Sequence, residues 1–480
     1  MINRTLNQVG LPPLEWRSSY AIFLPLALWT LLWLNLFDLD APFKFFNPGN
    51  IKAIFAQSRE VFPMATAGLA AAIILFKAYR QPVHGSLLKG PLGLAAVYGV
   101  VGLFSSLLSP DGSGALFWAL AYLSVPLVIW ALAWESDAQS QISLLINYNW
   151  LLVVVAITTL FIIALLQLDL GDLILSPSSW SGCNLYSNYH GNSWFNLTGG
   201  VLRPTGVGRY AAVASLIALT MLWRGHHRPF WGVIFFMAMV LLLTSGARTS
   251  YLGFAGGAIL VSFLLGNRKA ALAGVIAAAV ILPVLWGTGS LGTFTSECLL
   301  RTWANEGVPI GGQTEPGNTN NSNSSSLPQE LDMPDDGIIP EGFLQFTGRT
   351  GVWKEGVELV GESPFLGWGF QADRLIIGAH MHNAYINALL QTGFIGGLSF
   401  FAAILLGWYL MVRVVLAFGR IPASQQLIVA QAGGLLILMS IRAFFESSGT
   451  FYGVDWLFLG PVLLYLQIVN KTQPRGPEEA

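Results

Sequence analysis

Charge is what this sequence has least of. Only 10% of its 480 residues are Asp, Glu, Lys or Arg, while 54% are hydrophobic and the mean hydropathy is +0.59. A soluble domain carries about a quarter charged residues, because its surface must face water. Much of this chain's surface must therefore meet another apolar medium, and a bilayer supplies one. An excess of one sign is missing too: 24 Lys and Arg against 25 Asp and Glu leave a net charge of -1. That balance excludes the basic field that nucleic acid requires. The two cysteines, Cys183 and Cys298, are too few for a disulfide framework or a zinc cluster. No phosphate-cradling P-loop, dinucleotide fingerprint or paired-histidine zinc motif occurs. The polar start MINRTLNQVG has no short apolar stretch ending in a small-residue cleavage site, and it predicts no removable signal peptide.

What is present instead is a series of apolar runs. Those that approach the roughly 20 residues a bilayer needs fall at 19–37, 61–79, 91–108, 113–134, 148–168, 209–223, 230–246, 249–266, 271–287, 394–417, 424–444 and 451–470. They predict an all-α integral membrane protein with about twelve transmembrane helices. The runs divide the chain into residues 1–287, holding spans with short loops; 288–393, one large extracytoplasmic loop with short helices; and 394–480, the last spans and a tail.

Lys and Arg orient such a bundle, because basic connections stay in the cytoplasm. With the N-terminus inside, the cytoplasmic connections hold Lys77, Arg80 and Lys89, then Arg224 and Arg228, Arg268 and Lys269, and Arg413 and Arg420. The tail adds Lys471 and Arg475. The pattern has exceptions: 135–141 carries no basic residue on the inside, and 38–60 carries Lys44, Lys52 and Arg59 on the outside. The bias favours both termini in the cytoplasm.

Two segments then lie outside. The first, about 169–208, contains RPTGVGR. The second, about 288–393, opens with a Gly/Asn/Ser-rich stretch that has no apolar period. It continues as FTGRTGVWKEGVELVGESPFLGWGF, where Val352, Trp353, Val357, Leu359 and Val360 predict one side of a short helix from about Thr350. Gly361 and Pro364 would stop it. Cys183 and Cys298 both fall in these segments, so an oxidising compartment would either join them or leave them as lone thiols.

The outer side gathers arginines at membrane level: Arg203, Arg209, Arg248, Arg349 and Arg442. Charges at that depth are costly and turn towards the bundle interior or a wet cavity. Arg suits phosphate oxygens, because its planar fork donates two parallel hydrogen bonds. The ordinary alternative is that each one snorkels to a lipid headgroup or pairs with a neighbour, as Arg442 would with Glu446 one turn on. As a set they read as an anion site. His382 precedes Asn383, a good N-cap for the helical stretch that runs to Gly393. An imidazole at a helix N-terminus meets the positive end of the dipole, which favours the neutral form that a general base needs. A plain interfacial histidine capping the next helix fits the same spacing. The outer acidic residues Glu297, Glu306, Glu341, Asp373 and Asp455 have no metal-site spacing, so neither a metal nor a cofactor is expected.

These stretches resemble the O-antigen ligase and polymerase superfamily of bacterial membrane glycosyltransferases. The family signature is a histidine followed by Asn, Ser or Gln, then nine residues, then Gly; here it reads His382, Asn383, AYINALLQT and Gly393. TSGARTSYLG is similar to the family's arginine segment between two spans and puts Arg248 in that role. RPTGVGR matches with Arg203 and Gly206, although Val-Gly-Arg stands where the family often has Asn-Pro-Asn, so Arg209 enters on position alone. GRTGVWKEGVELVGESPFLGWGF resembles the outer-loop helix and its Pro-x-x-Gly-x-Gly exit.

The resemblance implies a GT-C-like bundle in a bacterial inner membrane. It also implies a donor glycan on undecaprenyl diphosphate and an acceptor glycan or lipid A core. Transfer would be inverting and metal-independent, with arginines clamping the diphosphate and His382 serving the acceptor hydroxyl. Polymerase, ligase and protein O-oligosaccharyltransferase all fit. A transporter or an accessory of inorganic-carbon uptake is the reading from another class, but transporters place their unusual residues near the midplane. Cysteine labelling should find positions 248 and 382 on the same non-cytoplasmic face; opposite faces would dismiss the glycosyltransferase reading.

Overall fold

In a bilayer the backbone has no water to bond, so apolar runs this long should be helical. Every regular element among the described residues is helical. The computed structural model describes residues 19–36, 49–80, 89–134, 137–167, 204–224, 227–245, 247–266, 269 and 349–472. All fall within one of the chain's two units. The expected span 271–287, the 287/288 boundary, Arg203, Cys183 and Cys298 lie outside them.

The α-helices are α1 (Ser19–Leu34), α2 (Gly49–Arg80), α3 (Pro91–Ser105), α4 (Gly112–Ala133), α5 (Ala138–Gln167), α6 (Pro204–Arg224), α7 (Arg228–Thr244), α8 (Arg248–Leu264), α9 (Arg349–Glu362), α10 (Ala384–Leu416), α11 (Ala423–Phe445) and α12 (Val454–Thr472). Among the described residues, seven helices are long and apolar enough to cross a membrane, and three shorter apolar ones lie at 22–34, 228–243 and 249–264. The chain is a multi-pass membrane protein.

Helix α12 forms the centre. Residues Val454 to Gln467 are all buried, as expected of a helix that is apolar all round, and it touches α3, α4, α5, α10 and α11. Polar side chains inside the bundle are paired across helices, because an unmet polar group in this medium is costly. The Asn149 Oδ1 accepts from Trp29 Nε1 at 2.7 Å and Trp33 Nε1 at 3.0 Å, while its Nδ2 donates to the Leu457 carbonyl at 2.8 Å. Gln431 joins three helices, accepting from Trp150 Nε1 and donating to Thr220 Oγ1, both at 2.9 Å. Helices α5 and α10 begin about ten residues before their apolar runs do, and in the added stretch of α10 Asn387 donates to Thr450 Oγ1 at 2.8 Å while Gln391 accepts from the Tyr98 hydroxyl at 2.6 Å.

Helix α9 forms where the loop pattern predicts it, with a shifted face. Val360, Met381, Ala372 and Leu390 build a small separate core, with Val352, Trp353 and Leu359 packed against it. Val357 is instead 57% exposed. The buried stripe centres on Gly356, which admits Met381 to the helix surface; Val357 falls on the far edge of that arc. Trp353 Nε1 donates to the Met381 carbonyl at 2.7 Å, and Trp368 Nε1 donates to that of Leu359 at 2.9 Å.

Helix α10 is broken at Gly393, whose φ of 58° and ψ of -163° are not helical. The break would strand two amides and two carbonyls, and each finds a partner in the Pro364–Gly369 segment. The Phe394 and Ile395 amides donate to the Pro364 and Phe365 carbonyls at 2.6 and 3.3 Å. In exchange, the Trp368 and Gly369 amides donate to the Leu390 and Gln391 carbonyls, both at 2.9 Å. The glycine at the end of the histidine motif and the glycines of PFLGWG are thus two halves of one joint. A Cβ on Gly393 would collide with the Phe365 carbonyl, and a left-handed φ costs a non-glycine about 1–3 kcal/mol. Gly393→Ala should lower the unfolding temperature in detergent by several degrees; an unchanged transition would contradict this joint.

Candidate functional site

One end of the bundle collects helix termini of opposite sense. The starts of α6, α8, α9, α10 and α12 meet the end of α11 and the short turn Ser447–Thr450 there. The other end carries Arg224, about 22 Å along α6 from Arg209 at 1.5 Å per residue. That arginine donates to Gln426 Oε1 at 2.8 Å. The basic connections and the site arginines are therefore at different ends.

Arg442 is the deepest charge of the cluster, only 1% exposed. It sits one turn before the end of α11 and donates from Nη1 to Ser250 Oγ at 2.8 Å. Thr249 Oγ1 lies 3.5 Å from the same nitrogen. The remaining atoms, Nε and Nη2, are buried without a hydrogen-bond partner among the described residues. Such a group persists only with compensating charge nearby, and Arg442 interacts electrostatically with Asp455 and Glu446 as well as with Arg209.

Asp455 lies in the first turn of α12, a favourable place for an acid at a helix N-terminus. Its Oδ1 is 3.2 Å from Arg209 Nη1. Its other oxygen, Oδ2, accepts from Ser448 Oγ. Arg209 Nε has no partner among the described residues. A narrow apolar cavity, with room for about one water, reaches this carboxylate between α10, α11 and α12, past Tyr385, Phe400, Met439 and Trp456.

His382 lies at the start of α10 with its side chain 38% exposed, and its Nδ1 is 3.9 Å from Glu446 Oε2. That is ion-pair range and too long for a hydrogen bond. Burial pushes the Glu446 carboxyl up, but the adjoining His382, Arg442 and Arg209 outweigh it and hold the group below the usual range. The His382 backbone is left-handed, with φ 50°, a strained conformation for a side chain without glycine's freedom. Asn383 holds it in place. The Asn383 Oδ1 caps α10 by accepting from the Tyr385 and Ile386 amides at 2.9 and 3.0 Å. Its Nδ2 reaches the Phe444 carbonyl at 3.2 Å.

The Phe444 carbonyl is one of the orphan acceptors of the last turn of α11, and Phe445 offers another. Arg349 Nη1 lies 3.4 Å from the Phe445 carbonyl. Asn383 and Arg349 thus pin the starts of α10 and α9 to the end of α11, beside Glu446. His380 is engaged elsewhere, accepting at Nδ1 from Arg374 Nε at 3.3 Å.

Of the residues expected at the site, the structure gathers Arg209, Arg442, His382, Asn383 and Arg349 at this end. Arg248 is the first residue of α8, next to Thr249 and Ser250. Gly393 stands apart as the break in α10. The partners Ser250 and Ser448 were not expected at the site, while Glu446 was expected only as a neighbour for Arg442. Ser250 acquires its meaning from Arg442, far away in sequence, and Ser448 from Asp455 seven residues on; the acids themselves are signalled by their rarity beside apolar runs. Among the described residues no three His, Cys, Asp or Glu side chains gather as a metal cluster.

Residues 232–401 match the O-Antigen ligase family. The match takes in Arg248, Arg349 and His382 but not Arg209 or Arg442. The chain is also 30% identical over 149 residues to "Exopolysaccharide production protein ExoQ" of Rhizobium meliloti (strain 1021), covering 27% of this chain and 32% of that protein. It thus spans about a third of the length of the curated relative it matches.

The double duty of Asn383 is open to test. Asn383→Ala removes the cap and should cost about 1 kcal/mol. Asn383→Asp keeps the cap acceptor and loses only the tether to Phe444, so its melting transition in detergent should fall between alanine and wild type. Equal losses in both variants would put the whole effect on the tether.

Proposed function

We propose, starting from the place of residues 232–401 in the O-antigen ligase family, that this protein is a membrane glycosyltransferase using a glycan linked to undecaprenyl diphosphate. The acceptor is a sugar hydroxyl, and the site faces the exterior side of the inner membrane, with both termini in the cytoplasm. The observation that supports this most is the presence at one membrane end of a buried and a partly buried guanidinium group, each with an N–H unmatched among the described residues, together with a half-exposed imidazole. Cations held in a dry site recognise a diphosphate and stabilise the charge that develops as it leaves.

In this reading Arg442 and Arg209, with Arg203, Arg248 and Arg349, hold the diphosphate. The acceptor oxygen attacks the anomeric carbon from the face opposite the leaving group, with inversion. The new glycosidic C–O bond forms as the bond to the diphosphate oxygen breaks, and undecaprenyl diphosphate departs with the electron pair. His382 takes the hydroxyl proton. Its position at the capped start of α10 fixes where the acceptor must approach. The chemistry requires no metal ion, because the guanidinium groups supply the positive charge.

Two acceptors have support. The relative named for exopolysaccharide production favours a polymerase, which extends another lipid-linked repeat. The family description favours a ligase, which attaches a finished chain to a lipid A core. Purified protein supplied with a defined lipid-linked repeat separates them: ladders without the core mean polymerase, and a single core-dependent product means ligase. In the productive assay His382→Ala and Arg248→Ala should each lose at least a hundredfold in rate, as expected for a general base and an electrostatic group, with the protein still inserted and abundant. Full activity in both variants, or no product with either acceptor, would dismiss the enzyme and return the transporter.

A further inference from the structure

Two of the cations proposed for this site already face anions. Arg209 and Arg442 face Asp455 and Glu446, so the two positive charges meet two carboxylates. An Arg209 held in that pair offers little attraction of its own to a diphosphate until the carboxylate yields. Asp455 has the geometry to yield. It is held on one side by Arg209 at 3.2 Å and on the other by Ser448 Oγ. It is 4% exposed, so its negative charge acts at short range with little screening. Glu446 is turned towards His382 instead.

We propose that Asp455 is an internal competitor for the diphosphate: it occupies Arg209 in the free enzyme, gives that guanidinium up when the donor arrives, and reclaims it to expel undecaprenyl diphosphate after transfer. Ser448, which already donates to Asp455 Oδ2, keeps hold of the carboxylate while Arg209 is on the substrate. This inference rests on the diphosphate reading above and adds to it a residue that sets affinity and product release. Asp455 acts through Arg209 and touches no reacting atom, so it is a positioning residue. The logic is that of differential binding. A site that holds donor and product diphosphate equally tightly lowers KM and gains nothing in turnover, whereas a built-in rival weakens the product complex.

The test uses the full-length protein in nanodiscs and inorganic pyrophosphate as the probe. Asp455→Asn removes the competing charge but keeps the side chain's size, and it should bind pyrophosphate about tenfold more tightly than wild type. Ser448→Ala deprives the carboxylate of its alternative partner, leaves it on Arg209, and should bind several-fold more weakly. Steady-state transfer by Asp455→Asn should show a lower KM for the lipid-linked donor together with a lower kcat, and stronger inhibition by added undecaprenyl diphosphate. A residue that merely props up the fold would not move affinity in the tightening direction.

Wild type that binds pyrophosphate, beside an Asp455→Asn protein that binds equally or more weakly, overturns the competitor while the diphosphate reading stands. Failure of wild type, Asp455→Asn and Ser448→Ala alike to bind overturns both. Should Asp455→Asn not fold, Ser448→Ala decides: weaker binding with an intact elution profile supports the competitor, and equal or tighter binding overturns it.

Discussion

Taking the Arg442 guanidinium out of water is costly, and its neighbours are arranged around that cost. An isolated buried cation of this kind would be prohibitive. Here it is met by Ser250 on α8 and by the electrostatic company of Asp455 and Glu446. Those partners come from three places in the chain, so the ends of α8, α11 and α12 must converge for the charge to be tolerated. Among the described residues the compensation is incomplete, since Nε and Nη2 find no hydrogen-bond partner there. A site that spends stability in this way keeps recognition capacity in reserve, in line with the rule that intramembrane charges mark function.

The second constraint is the reciprocal exchange between α10 and the Pro364–Gly369 segment. It sets where α10 starts, and so where His382 stands. Had α10 run straight through Gly393, the outer-loop segment would have had four backbone groups to satisfy elsewhere. Because the break and the insert answer each other, α9, the loop and the first half of α10 form a single body with their own small core. Asn383 and Arg349 then attach that body to the end of α11 through the Phe444 and Phe445 carbonyls. The histidine is placed by a chain of local rules: a kink, a cap and two helix-end carbonyls.

Much of this was legible in the residues themselves. Long apolar runs announce membrane helices, because the bilayer leaves the backbone no other choice, and α9 was visible in its 3.6-residue stripe. Asn383 could be read as a cap because capping is local. Helix starts were less legible: Asn149, Asn387 and Gln391 look like interruptions until their partners are known, and those partners lie tens to hundreds of residues away. The same holds at the site. An arginine or histidine in an apolar setting stands out alone, whereas the Arg442–Ser250 and Arg209–Asp455 partnerships exist only as pairs across helices. Val357 was misjudged for a related reason, since the face of α9 is decided by where Gly356 admits Met381 and not by the apolar residues alone.

A compensated cation cluster at one membrane end, joined through Glu446 to a half-exposed imidazole, is the arrangement on which the functional account stands. A structure of the full chain in nanodiscs with undecaprenyl diphosphate bound tests it most directly. The account predicts the diphosphate within hydrogen-bond distance of the Arg442 and Arg209 nitrogens that lack a partner among the described residues, with Asp455 withdrawn from Arg209 and still held by Ser448. Diphosphate density at the other end of the bundle, or beside an Arg209–Asp455 pair that has not moved, would contradict it.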